Sequence, residues 1–395
     1  MTAFVLPYVP SEHLGFDPRR LERLTTAMQR EIDDGKAPGA SMLVARNGKV
    51  AYRQSLGDLK PGGPAMRDDA IFRIYSMTKP IVSAAAMILV EEGRLSVIDP
   101  VSAYIPAFAD AKVGALKGDK LDLQALKRPI TVQDLLRHTS GLTYGFTGNS
   151  PAQKATMAAN VFDLARTTAE QAETLAGLPL QHQAGEAWEY GHSTDVLGRI
   201  VEVVAGGRLS DFLIDRILGP LGMVDTAFFV PQQKLPRRAE PFPSPMPAHI
   251  GIESTLDVTS PPKFEMGGTG LHSTLADYGR FLAMLANDGA FADVRILSPR
   301  AVSYMASDHL DARVDRNHYL LWPGHGFGLG FAVRTHAGLA PSAGSVGEYF
   351  WGGVMGTTFW VSPRDQLFAL LMVQSPEHRE YFRVLFRNLV NAALL

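Results

Sequence analysis

The chain has no cysteine, which excludes disulfides, thiolate zinc sites, iron–sulfur clusters and a cysteine nucleophile together. It has no excess of either charge. Lys and Arg number 38 against 40 Asp and Glu, a net charge of −2, so phosphate-rich partners are not expected and nucleic acid is set aside. Long apolar runs are also missing. The longest helical one, Pro80 to Val90, stops at Glu91-Glu92 and is too short to cross a bilayer. The apolar stretch Ala3–Val9 has no basic residue before it, contains Pro7 and soon meets Glu12, unlike an export signal. The expectation is a cytoplasmic protein with no membrane partner, its oligomeric state open. His-Glu-x-x-His, the phosphate-binding P-loop and Gly-x-Ser-x-Gly are absent too, so no metal or cofactor is expected. The glycines of Gly326–Gly330 read as part of a strand, not as a dinucleotide fingerprint.

What is present describes a globular chain of 395 residues, 46% hydrophobic and 20% charged, long enough for two lobes. Leu21, Leu24 and Met28 recur at helical spacing. Ser41–Arg46 and Lys49–Leu56 are strand-like runs joined by Asn47-Gly48, a two-residue hairpin signal. Near the C-terminus Phe327–Val333, Glu348–Trp351, Thr357–Val361 and Leu367–Val373 read as strands. A helix with Phe382, Leu385, Phe386, Leu389, Val390 and Ala393 on one face follows. The middle is mostly helical, as at Thr131–Arg137, Thr194–Val204 and Leu209–Leu218. Two strand-rich ends around a helical middle predict an α/β (α+β) fold, an antiparallel sheet flanked by helices with an inserted helical domain. The expected division is 1–95 with 265–395 for the sheet, and 96–264 for the insertion. Residues 231–263 hold eight prolines, which suits a wall or lid better than a linker.

Ser-x-x-Lys occurs twice. Ser260-Pro261-Pro262-Lys263 cannot be helical, because consecutive prolines break the ladder. Ser76-Met77-Thr78-Lys79 follows the strand-like Ile71–Tyr75 and opens a helix, which puts Ser76 and Lys79 on one face. The spacing suits nucleophilic catalysis. A serine hydroxyl attacks only when a neighbour takes its proton, and a lysine can do so once burial lowers its pKa. The hydroxyl is expected to be exposed at the helix start, beside free amide donors for an oxyanion.

Downstream segments carry a resemblance. Leu135–Leu142, reading Leu-Leu-Arg-His-Thr-Ser-Gly-Leu, resembles a motif of the class C β-lactamase-like serine hydrolases. Ala184–Ser193, around Tyr190 and His192, is similar to that family's Tyr-x-Asn region. Asp195–Gly198, Gly219–Met223, Gly267–Leu271 and Trp351–Thr357 extend the match in order over roughly residues 40–375. Trp351-Gly352-Gly353 in place of Lys-Thr-Gly resembles the family VIII carboxylesterases, and statin-type acyltransferases share the same Ser, Lys and Tyr. The resemblance implies a β-lactamase/transpeptidase-like fold. It implies that Ser76 attacks the acyl carbon. Tyr190, beside Lys79, would move the serine proton to the leaving alcohol and then activate water. Which of the two is the formal base stays open, since they titrate as a pair. The implied oxyanion hole is the backbone amides of Ser76 and Val354. Trp351, Gly352, Gly353, His192 and Tyr144 are the expected substrate pocket. His138 and Ser140 read as a structural turn.

The favoured function is a carboxylesterase acting on a small-molecule ester. An acyltransferase using the same acyl-enzyme comes next, then a β-lactamase or D-alanyl-peptidase, which the missing lysine opposes. A non-enzymatic scaffold comes last, because Ser76, Lys79 and Tyr190 are all present.

Overall fold

The computed structural model describes residues 6–117 and 120–395; the first part of Ala3–Val9 lies outside them. Helix α1 (Pro18–Asp33) starts at Asp17, whose carboxylate accepts the N–H groups of Arg19 and Arg20 at 2.9 and 3.3 Å, with Pro18 at the first helical position. Strands β1 (Gly39–Arg46) and β2 (Lys49–Gly57) follow. Asn47 and Gly48 join them at φ +53° and +70°, as a tight hairpin requires. Next come β3 (Ile71–Arg73) and α2 (Thr78–Glu91), then a hairpin of β4 (Lys112–Lys117) and β5 (Lys120–Ala125) that the sequence reading did not include.

Helices follow as α3 (Val132–Leu136), α4 (Pro151–Ala158), α5 (Thr168–Ala176), α6 (Ser193–Ala205), α7 (Leu209–Leu213) and α8 (Met246–His249). Strand β6 (His272–Thr274) pairs with β3 and leads into α9 (Leu275–Ala286). A small hairpin of β7 (Ala290–Phe291) and β8 (Val294–Arg295) precedes α10 (Pro299–Met305). The remaining elements are β9 (His325–Phe327), β10 (Ala332–Arg334), β11 (Tyr349–Gly352), β12 (Thr358–Ser362), β13 (Leu367–Val373) and α11 (Arg379–Ala393).

Among the described residues one seven-stranded sheet runs β2-β1-β13-β12-β11-β10-β9, antiparallel throughout. Strands from both ends of the chain therefore meet in its middle. β13 is apolar along its whole length because both faces are covered. Leu367, Ala369, Leu371 and Val373 pack with Leu24 and Met28 of α1 and Phe382 and Phe386 of α11. Phe368, Leu370 and Met372 point the other way, into the core that holds Tyr278 and Phe281 of α9 and most of α2. The period-2 alternation is hidden when neither face meets water.

Two expectations are corrected. Phe327–Val333 is not one strand: β9 and β10 form a hairpin, with the Gly328 N–H on the Phe331 carbonyl at 2.9 Å. Gly330, read as strand, sits in its turn at φ +103°, and a Cβ there would lie 2.4 Å from Ser83 Oγ. Close approach to α2 therefore demands the glycine. The proline-rich stretch also carries local structure, with short 3₁₀ turns at Gln232–Arg237 and Glu253–Thr255 on either side of α8.

Candidate active site

Ser76 lies in a 3₁₀ turn, Tyr75–Met77, immediately before α2. The turn bends sharply because Tyr75 has φ +42°, a left-handed conformation that costs a non-glycine residue about 1–2 kcal/mol. The surroundings hold it there. Met77 N–H bonds the Ile74 carbonyl at 3.0 Å, Tyr278 Oη donates to the Met77 carbonyl at 2.8 Å, and Tyr75 Oη lies 3.1 Å from Thr255 Oγ1. Ser76 is only 8% exposed, a correction to the expected surface hydroxyl. It is reached through a cavity.

Helix α2 is buried from Thr78 to Leu89, so the Lys79 side chain never reaches water. Its Nζ lies 3.2 Å from Ser76 Oγ, 3.2 Å from Tyr144 Oη and 2.8 Å from the Gly268 carbonyl oxygen. Burial lowers its pKa to about 7, and the negative charge of Asp195 opposes the fall. Tyr190 completes the group. Its ring lies under Lys79 Nζ at 4.6 Å from the centroid, its hydroxyl accepts Trp351 Nε1–H at 3.0 Å, and Ser76 lines the same cavity. Burial raises the Tyr190 pKa, so the phenol keeps its proton.

The cavity over these groups encloses about 250 Å³. Ser76, Tyr190, Trp351, Gly352, Tyr144 and Val354 all line it. Two expected pocket residues do not. His192 is fully buried behind the Tyr144 ring, 4.5 Å between centroids, and its Nδ1 bonds Asp195 Oδ2 at 2.8 Å. Asp195 Oδ1 in turn accepts the Gly268 N–H at 2.8 Å, so this pair braces the loop whose carbonyl meets Lys79. Gly353 lies beneath the cavity wall, its N–H on the Thr357 carbonyl at 2.8 Å.

Sequence reasoning missed much of the lining. Phe146, Phe162, Ile250 and Ile252 make an apolar wall, the last two supplied by the proline-rich stretch. Nothing in their spacing marks them, because separate loops bring them together. Arg379, Arg383 and Arg387 of α11 also line the cavity, and their spacing of four was a readable signal. Each is engaged, Arg379 with the Pro376 carbonyl, Arg383 with Glu380 and Arg387 with Glu348. His138 is buried at φ +58° with its ring 4.9 Å from Tyr190, and Ser140 Oγ lies 2.8 Å from Ser193 Oγ. Among the described residues no group of three or more His, Asp or Glu could hold a metal ion, and no helix is long and apolar enough to cross a membrane.

Comparison with known proteins bears on this arrangement. Residues 24–394 match the family model described as beta-lactamase. Protein Rv1367c of Mycobacterium tuberculosis is 36% identical over 357 residues, 87% of this chain and 88% of that one. Esterase EstB of Burkholderia gladioli is 30% identical over 379 residues, 89% of this chain and 90% of its own. The solved structure of EstCE1, described as a hydrolase with promiscuous acyltransferase activity, aligns with TM-score 0.78 at 24% identity, over 94% of this chain and 98% of that one. A family match over nearly the whole length, with an esterase among the relatives and the same fold end to end, gives one assignment: the chain belongs to the beta-lactamase family and is a serine hydrolase.

Proposed function

We propose that the protein is a carboxylesterase that hydrolyses short-chain neutral esters through an acyl-serine intermediate on Ser76. One observation carries the reading. The Trp351 indole N–H bonds the Tyr190 hydroxyl at 3.0 Å, where the resembling β-lactamases place a lysine, so a neutral donor replaces a cation. EstB, an esterase by name, supports the same class.

The hydrogen bonds suggest which group is the base. An indole N–H only donates and a carbonyl only accepts, so Trp351 and Gly268 fix the two ends of a chain. Tyr190, kept neutral by burial, accepts from Trp351 and has one proton left, for Ser76 Oγ. Neutral Lys79 has two N–H bonds for Gly268 and Tyr144, leaving its lone pair for the Ser76 hydroxyl. Lys79 thus takes the serine proton as Oγ attacks the acyl carbon, and Tyr190 protonates the departing alkoxide. In deacylation the Tyr190 phenolate, held by Trp351, takes a proton from water. Lys79 returns its proton to Ser76 Oγ as the acid leaves. The oxyanion at each stage is assigned to the main-chain N–H groups of Ser76 and Val354.

A pH dependence follows. The charged and titratable groups facing Lys79 are Asp195, His138, Tyr144 and Tyr190. Only neutral Lys79 can accept the proton, and its pKa lies at about 7. The value of kcat/KM is therefore expected to rise with pH through an acidic limb centred near 7 and to level above it. A limb at pH 5 or below, or a flat profile between pH 5.5 and 8.5, would contradict Lys79 as base.

Substrate choice is tested by comparing kcat/KM for p-nitrophenyl acetate, butyrate and long-chain esters with nitrocefin and ampicillin. A charge-assisted hydrogen bond contributes about 1.5–3 kcal/mol, so losing the lysine costs roughly tenfold or more for carboxylated lactams. Butyrate should be cleaved much faster than nitrocefin, and long-chain lipids hardly at all. A nitrocefin value equal to the butyrate value would overturn the esterase reading. Acyl transfer is the second reading, favoured by the apolar wall of Phe146, Phe162, Ile250 and Ile252 beside Ser76, which limits water near an acyl-enzyme. An added alcohol that captures most of the acyl group would support it.

A further inference from the structure

Arg383 has no part in the proton transfers above, yet it reaches from α11 into the turn after β11. Its Nη1 donates to Glu380 Oε1 at 2.7 Å and its Nη2 to the Gly353 carbonyl at 2.6 Å. The guanidinium lies against the Gly352 backbone, where a Cβ would come 2.7 Å from Nη2. The Gly353 carbonyl also accepts the Gly356 N–H at 3.0 Å, closing a four-residue turn. Both lone pairs of that oxygen are therefore taken.

A trans peptide is planar, with the C=O and the following N–H on opposite sides, and every described peptide bond is trans. Pinning the Gly353 oxygen therefore pins the Val354 N–H, pointing the other way. The turn bond alone is a weak restraint in a Gly-Gly-Val-Met-Gly segment, because glycine leaves the peptide plane free to rotate. A charge-assisted bond from a guanidinium is about twice as strong as a neutral one. We propose that Arg383 is a positioning residue: it locks the Gly353–Val354 peptide so that the Val354 N–H stays aimed at the carbonyl oxygen of a substrate bound to Ser76. The inference rests on Val354 being an oxyanion donor, as read above. The lock acts on transition-state stabilisation, because the donor matters most when the oxygen carries full charge.

The test is a double-mutant cycle of Arg383→Met, which keeps the stem and removes the donors, with Val354→Pro, which deletes the N–H at a turn position that accepts proline. Readouts are kcat and KM for p-nitrophenyl butyrate and the affinity of butylboronic acid, which forms a tetrahedral anion on the serine. Folding is checked by thermal unfolding. Val354→Pro is expected to lower kcat by about 100-fold and Arg383→Met by about tenfold, with KM within roughly twofold. Boronate affinity should fall in step with kcat. Arg383→Lys should recover most of the loss, and the double variant should be no slower than Val354→Pro alone. Arg383→Met with normal kcat and normal boronate affinity overturns the proposal. Multiplicative losses overturn it too, since Arg383 would then act elsewhere, for instance on Tyr190, whose phenolate its charge favours. Full activity in Val354→Pro removes the oxyanion reading together with the lock, whereas a damaged Val354→Pro beside an intact Arg383→Met rejects the lock alone. If methionine is not tolerated, Arg383→Gln runs the same cycle.

Discussion

Ser76→Ala protein is expected to lose ester turnover by about 10⁴-fold or more while keeping its fold, because removing a nucleophile disables the whole proton-transfer unit. The hydroxyl's hydrogen bond is to Lys79 Nζ, at 3.2 Å, and the turn does not depend on it. The turn is held by backbone bonds and by Tyr278 and Tyr75, all of which the alanine variant keeps. Its unfolding midpoint should stay within a few degrees of the parent. Mass spectrometry offers a second readout: a fluorophosphonate should label Ser76 in the parent and nothing in the variant. Near-normal turnover by well-purified Ser76→Ala protein would end the covalent mechanism.

Lys79→Ala and Tyr190→Phe are each expected to lower kcat by about 10³-fold, and the double variant by little more, since groups acting as one unit are non-additive. In the proposed mechanism the two residues have opposite tasks in one step: Lys79 would remove the serine proton and Tyr190 would protonate the leaving group, so losing either stalls that step. Tyr190→Phe retains the ring under Lys79 and removes only the oxygen that Trp351 bonds. Losses that simply multiplied would indicate independent roles and reject the shared chain.

Much of this was legible in the amino-acid order, for identifiable reasons. The β1–β2 hairpin was readable because Asn47-Gly48 is a local instruction that needs no distant partner. Ser76 and Lys79 were readable because a spacing of three suits a helix start, and the 3₁₀ turn running into α2 keeps Oγ and Nζ 3.2 Å apart. The β9–β10 hairpin was not, because its turn is set by the contact of Gly330 with Ser83, residues far apart in sequence. For His192 the sequence left substrate contact and a supporting hydrogen bond equally open, for a similar reason. The motif puts it two residues after Tyr190, and only the start of α6 decides that its ring turns to Asp195 instead of the cavity. The cavity wall was least legible, since apolar residues in loops resemble core residues until their loops are seen to converge.

The sheet order also bears on how the chain is made. β13 is made about 300 residues after β2, yet it lies between β1 and β12. Until residues 367–373 arrive, β1 offers an unpaired and largely apolar edge, Gly39–Arg46, with only β2 beside it. The α1–β1–β2 unit must therefore wait through some 300 residues of synthesis with that edge open, the condition under which strand edges recruit other chains. Contacts of such long sequence separation also make folding slow. The same closure that sets Trp351 and Val354 beside Ser76 thus leaves the nascent protein dependent on a strand made much later for protection.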